Sequence, residues 1–405
     1  MTPSLVTGFS EVKNPTCPQS FGARYDAVER GEHRSDGEVR QMTPSRLKNS
    51  VKEQANRILL LMPYFGRWPE WFFIFLETCK HNPSVEWLFF TDCGEVGPAP
   101  SNVHFVHMPF AEMRSLASQK LGRSVKLPTP YKLSDLRLCY AKIFDEFIAG
   151  YDFWGFGDID VVYGNLSGVL QGEVLSHDII SFHKDHLSGH LCLFRNNDII
   201  NTLYTRIKNF EDALDSNDNL IFDELLLPGG TAYCSQQKYI DDESLKSLSI
   251  YGFEAFSTPF SLSKPWIDGT FRFPTEWTWE NGQLTSDIDA GRRFPYLHFM
   301  RWKEGAIAAH GKRHWRELRR LVYMDPSEIK NGFRINCYGF HPLGADKPCP
   351  EFNDAQWKLF LRRTKNMGHL EKFLSPSRHE SDSMTVRGHG RMERAGYGAE
   401  GLFRC

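Results

Sequence analysis

The sequence predicts an α/β chain built on a mainly parallel sheet covered by helices, and three observations carry that expectation. Between residues 57 and 108 an apolar strand, a helix and two more strands follow one another with short loops, the order that a parallel sheet with crossovers produces. Residues 132–148 repeat apolar side chains at three- and four-residue steps, as a helix lying on a sheet does. A Phe/Trp-rich strand, YDFWGFGDID, then runs directly into two acids, Asp158 and Asp160.

Taken in order, residues 1–56 are polar, charged and interrupted by Gly and Pro, and they read as a flexible arm. RILLLMPYF (57–65) is a buried strand stopped by Gly66, and Pro69 stands where it opens the helix WFFIFLETCKHN. VEWLFFTD and NVHFVHM read as the second and third strands. KLSDLRLCYAKIFDEFI (132–148) is one amphipathic helix, capped by Ser134 or the polar turn before it. After the acidic strand, VVYGNLSGVL reads as turn and helix, DIISFH and HLCLFRNN as strands, NDIINTLYTRIKNFEDAL as a helix, and FDELLL as the start of a short one. WTWENGQLTS is a hairpin whose Asn281-Gly282 pair suits positive φ. FPYLHFM (294–300) is the last strand of a domain spanning 57–303. Residues 304–374 are basic, amphipathic and helical, and 375–405 have almost no core formers and read as disordered.

Composition narrows the function. A net charge of −2 gives no general positive field, so nucleic acid is not an expected partner. Nine scattered cysteines without a CxxC pair exclude a zinc ribbon and fit reduced thiols. No basic start followed by an apolar run opens the chain, and no run is long enough to span a bilayer, so a cytoplasmic protein is expected. WKLFLRRTKNMGHLEKFL (357–374) sets Trp357, Leu359, Phe360 and Leu361 beside Arg362, Arg363 and Lys365, a pattern for packing on the domain or for peripheral contact with the inner membrane face. Aromatics make up 14% of the chain; Trp266, Trp277 and Trp279 read either as core or as platforms for a sugar ring.

The acidic turn carries the chemistry. On an extended chain alternate residues point the same way, so Asp158 and Asp160 converge while Ile159 turns inward. Two hard oxygen donors at the carboxyl edge of a parallel sheet, where α/β proteins bind ligands, suit Mg²⁺ or Mn²⁺ carrying a diphosphate.

PYFG after the first strand, TD closing the second, KLSDLR, and YDFWGFGDIDVVYGNL in that order resemble an uncharacterised group of bacterial polysaccharide-biosynthesis proteins. More distantly they are similar to GT-A glycosyltransferases of families 8 and 32, the likeness covering residues 57–303. The resemblance implies a GT-A, Rossmann-like mixed sheet and a metal-dependent transfer from a nucleotide-sugar donor, UDP-linked by expectation, to a glycan or lipid-linked glycan. It sets Pro63, Tyr64, Phe65 and Asp92 at base and ribose, and Lys132, Asp135 and Arg137 at ribose, diphosphate and donor sugar. YLHFMRWK implies His298 as a third metal ligand and Lys303, with Arg301, on the diphosphate; Met300 stands where the family carries Gly. The resemblance further implies that Gly189 and His190 line the acceptor and that Asp223, or after it Glu224, is the catalytic carboxylate. His183, Asp185 and His186 read as a polar acceptor loop or a metal-like cluster. A nucleotidyltransferase is disfavoured by the single glycine of PYFGRW, and a non-catalytic glycan-binding protein by the retained acid pair.

Overall fold

The computed structural model describes residues 56–227, 247–252, 266–270, 274–299, 326–336 and 339–344. The chain divides into two units, Met1–Arg40 and Gln41–Cys405, and all the described residues belong to the second.

Strand β1 (Ile58–Pro63) explains the layering. Ile58, Leu60 and Met62 enter one hydrophobic cluster, and Leu59 and Leu61 another, the alternation of a strand covered on both faces. Helix α1 (Phe72–Lys80) fills the first cluster with Phe72, Ile74, Phe75 and Leu76. A turn from Pro69 leads into it, since the Phe72 amide bonds Pro69 O. Parallel strands β2 (Val85–Thr91) and β3 (Val103–His107) extend the sheet from β1. Helix α2 (Phe110–Leu121), which the sequence reading passed over, sends Met113 and Ala117 into the second cluster and ends at Gly122.

The chain then returns to the other side of β1. Strand β4 (Phe153–Gly157) pairs with it in parallel, Ile58 beside Phe153. The complete sheet runs β3-β2-β1-β4-β7-β6-β8, with β6 (Ile179–Ser181), β7 (Leu191–Arg195) and β8 (Ile250–Gly252). Strand β7 is antiparallel to both neighbours. The result is a mixed, mainly parallel sheet flanked by helices. Strand order reverses between β1 and β4, and at such a point the carboxyl ends open a crevice.

Several local expectations are corrected. Residues 132–148 are not one α-helix. Pro130–Cys139 is a 3₁₀ segment, followed by the short helices α3 (Tyr140–Ile143) and α4 (Asp145–Ile148). In a 3₁₀ turn positions i and i+3 eclipse, which sets Lys132 over Asp135; Ser134 caps nothing and bonds Tyr131 O. The helix expected over 197–214 is divided into α5 (Asp198–Asn201), a 3₁₀ turn and α6 (Phe210–Asp215). The Thr202 hydroxyl bonds back to Asp198 O, and Asn209 adopts φ 60°. FDELLL contains only a 3₁₀ turn, Phe222–Glu224.

The β-branched residues after the acidic turn form strand β5 (Val161–Tyr163) rather than a turn. Two more strands, β9 (Glu276–Glu280) and β10 (Gln283–Ser286), make the expected hairpin, with Asn281 at φ 50° and Gly282 at φ 76°. Strand β11 (Tyr296–His298) pairs antiparallel with β5 but is not the last strand. Within the stretch read as helical, β12 (Phe333–Asn336) and β13 (Gly339–Pro342) add to β9 in a sheet of order β10-β9-β12-β13. The basic helices expected at 310–324 and 355–374, and the terminal arm and tail, lie outside the described residues. Trp266, Trp277 and Trp279 are buried in the core, so none offers a sugar platform. Among the described residues Cys79, Cys93, Cys139 and Cys192 are free thiols, and no helix is long and apolar enough to cross a membrane.

Candidate functional site

Each residue of the acidic turn is held by a different element. The Asp158 amide donates to His190 O on the approach to β7 (3.1 Å), Trp71 Nε1 donates to Ile159 O (3.0 Å), and the Phe299 amide donates to Asp160 O (3.0 Å). The turn is therefore tied to β7, α1 and β11 at once. Pairing of β5 with β11 sets His298 opposite Val161, one residue past Asp160.

Asp158, Asp160 and His298 each offer a ligand atom within 4.8 Å of the others, the one such group of three or more His, Cys, Asp or Glu residues among the described residues. His183, Asp185 and His186 do not form another. His298 Nε2 lies 3.9 Å from Asp158 Oδ2 and 3.7 Å from Asp160 Oδ1, too far for hydrogen bonds. That nitrogen is buried without a hydrogen-bond partner, and an orphaned buried polar atom carries a desolvation cost. Ligands about 2.1 Å from one octahedral ion stand about 3.0 Å apart as neighbours and about 4.2 Å across it, and the observed gaps fall between. Two carboxylates and an imidazole fit Mn²⁺ or Mg²⁺ by donor type as well.

Arg137 joins this group to the expected catalytic acid. Its guanidinium donates to Asp158 Oδ1 (2.5 Å), to Asp223 Oδ2 (2.9 Å) and to Gly189 O (2.6 Å). Burial works against its charge, but Asp158 and Asp223 more than offset that and hold its pKa above the ordinary value. Asp223 is 6% exposed. Burial lifts its carboxyl to about 6, with Arg137 pulling down and Asp158 and Asp135 pushing up.

Lys132 and Asp135, expected against the donor, are turned inward instead. They form a buried ion pair at 2.6 Å with side chains 2% and 0% exposed. Asp135 also accepts the Leu220 and Phe222 amides at 2.8 and 3.0 Å. Between those amides Ile221 sits at φ 60°, a strained conformation for a β-branched residue. The buried carboxylate thus pins the strained turn that delivers Asp223.

Gly189 shows how tight the pocket is. A Cβ there would come within 2.9 Å of Glu224 Oε1, 3.1 Å of Arg137 Nη1 and 3.2 Å of Asp223 Oδ2. Gly189→Ala is expected to displace these three groups and lower turnover by about tenfold or more, with a melting temperature within a few degrees of wild type. Unchanged steady-state kinetics would show that the acids need no such spacing. His190 is buried, bonds Tyr296 Oη through Nε2 (2.9 Å) and stacks on His298 at 4.4 Å. Burial, then His298, pushes its pKa well below the usual value, so it is a neutral buttress.

At the end of β1, Pro63 and Tyr64 are half-buried and Phe65 is buried against Phe110. Tyr64 stacks on Trp68 (5.4 Å) and Trp68 on Phe72 (3.9 Å), a ladder ending at the crevice. Burial, then Cys93 and Asp160, raises the Tyr64 phenol to about 12. Both Asp92 oxygens are taken by the chain itself, one by the Gly66 amide at 2.7 Å and one by the Phe110 amide at 3.4 Å. Arg301 and Lys303 lie outside the described residues. Trp71 and Tyr296 also hold the site; Trp71 stands in no motif, and in YLHFMRWK only the His, Arg and Lys carry a reading, so Tyr296 is not singled out by the sequence.

Residues 60–329, more than half of the chain, match a family of unknown function, DUF6625. No curated protein and no solved structure matches.

Proposed function

From a chain that belongs to the DUF6625 family, we propose a metal-dependent glycosyltransferase of the GT-A type, acting in bacterial surface polysaccharide synthesis. The observation that carries this reading is the convergence of Asp158, Asp160 and the orphaned Nε2 of His298 at the strand-order reversal beside a buried acid. Those three residues would hold Mn²⁺ or Mg²⁺, which when bound neutralises charge on the leaving diphosphate of a UDP-sugar or similar donor.

The chain's own groups supply the rest. Tyr64, at the end of its aromatic ladder, offers a flat face to the base. Asp223 accepts the proton of the acceptor hydroxyl while that oxygen bonds the anomeric carbon and the carbon–phosphate oxygen bond breaks, releasing nucleoside diphosphate. Arg137 keeps Asp223 oriented between the acceptor strand and the acidic turn. Glu224 stands next to it, close to Gly189. The acceptor is a glycan or lipid-linked glycan hydroxyl.

The test is a panel of nucleotide sugars read by release of free nucleotide with Mn²⁺, Mg²⁺ or EDTA. Turnover is expected with one donor, lost in EDTA. A base must be deprotonated, and Asp223 titrates at about 6, so kcat/KM is expected to rise with pH through that region and level off above it. Turnover that persists in EDTA, or that falls as pH rises from about 5 to 7, would reject the mechanism.

A further inference from the structure

Strand β11 brings more than one ligand to the acidic turn. On an extended chain alternate residues share a face, so Tyr296 and His298 stand on the same side of the strand. Both are buried, and one residue from another part of the sheet meets them both. His190 bonds Tyr296 Oη through Nε2 at 2.9 Å. Its ring also stacks on that of His298, with centroids 4.4 Å apart and planes 18° from parallel. Its backbone carbonyl accepts the Asp158 amide at 3.1 Å. His190 therefore touches two of the three candidate ligands, one through its main chain and one through its ring.

The need for such a contact follows from the ligand itself. An imidazole binds a cation along one direction, so its ring has to be held at one angle. His298 Nε2, which would face the ion, is buried and makes no hydrogen bond that could fix that angle; the flat face of His190 packs against the ring instead. His190 is in turn oriented by the Tyr296 hydroxyl, and the Tyr296 ring meets Phe182 edge-on at 5.4 Å. Groups that orient a ligand without touching the ion ordinarily change metal affinity by about 10- to 100-fold. His190 was expected against the acceptor, but it is only 7% exposed and its Nε2 is committed to Tyr296. That leaves it more able to hold a neighbour than to receive a sugar.

We propose that Tyr296 and His190 are positioning residues of the cation site: the Tyr296 hydroxyl fixes the His190 ring, and that ring holds His298 with Nε2 toward Asp158 and Asp160. The inference rests on the cation site proposed above and gives a determinant of metal affinity to two residues that are not ligands. It is testable with the metal alone.

The experiment titrates the full chain with Mn²⁺ and no nucleotide. Free ion is read by electron paramagnetic resonance, and bound ion by electron spin-echo modulation, which detects a directly coordinated nitrogen. Tyr296→Phe removes one oxygen and keeps the ring. It is expected to bind Mn²⁺ about tenfold more weakly, with a diminished nitrogen signal per bound ion. In a His298→Ala background the same substitution is expected to add nothing, because its effect passes through the missing ring. Tyr163→Phe is the control, since Tyr163 pairs with Tyr296 across β5 and β11 but packs on Phe75 and Trp87; wild-type affinity is expected there. Undiminished affinity in Tyr296→Phe, a full further loss in the His298→Ala background, or an equal loss in Tyr163→Phe overturns the assignment. Mn²⁺ bound without nitrogen coupling also overturns it, while leaving the acid pair as a cation site. Conversely, a chain in which these variants behave as expected but which turns over no nucleotide sugar would sink the transfer reading and leave the positioning role standing.

Discussion

Asp160→Asn is expected to lower Mn²⁺ affinity by at least about 100-fold, read by electron paramagnetic resonance of the free ion, and to remove nucleotide-sugar turnover with it. The size of the effect follows from burial. Asp160 is 6% exposed and its backbone is fixed by the Phe299 amide, so the amide of Asn cannot swing away to let water replace the lost charge. Asp158→Asn is expected to weaken the ion less cleanly, since it also releases Arg137 from its short contact. His298→Ala removes the third donor and leaves the acid pair, so weak binding remains. If Asp160→Asn binds Mn²⁺ as wild type does, the three converging side chains are a structural cluster and the transferase reading falls.

Arg137→Met should destabilise the fold by about 3–5 kcal/mol, the range for breaking a buried ion pair from one side. Met fills similar volume but leaves Asp158 and Asp223 facing each other uncompensated. The deficit is expected to depend on pH, and the sign can be worked out. Burial already holds Asp223 above its ordinary 3.8, at about 6, against the pull of Arg137. Without that pull the folded-state value rises further. A carboxyl whose folded pKa exceeds its unfolded one contributes stability that is full below the unfolded value and is lost as pH climbs through the folded value. The variant should therefore approach wild type near pH 4 and fall furthest behind above about pH 7. Urea unfolding at the two ends of that window decides it; an equal loss at both would mean that packing, not charge, is what Arg137 supplies.

What the sequence made legible follows from distance along the chain. An unbroken apolar run such as ILLLMP is a local signal, so the two-sided burial of β1 was readable. The Asn281-Gly282 turn and the Asp158-x-Asp160 pair are likewise local, and both sit where expected. The 3₁₀ geometry of 130–139 was not readable, because its apolar spacing also fits an α-helix. It is selected by a buried carboxylate whose partners, Leu220 and Phe222, are 85 and 87 residues away. For the same reason Lys132 and Asp135 looked available for a ligand when their charges are used within the fold. His298 was found by its spacing from Lys303, but what brings it to Asp160 is the pairing of β11 with β5, which no local pattern announces.

The shared guanidinium has a thermodynamic corollary. Arg137 serves two acids at once, so a cation that draws on Asp158 leaves the guanidinium to Asp223 alone and eases release of its proton. Coupling between two equilibria is reciprocal: release of that proton must, in equal measure, tighten the hold on the cation. Alkalinity and metal would then act as mutual agonists, each sensed at the other's carboxylate through a single side chain.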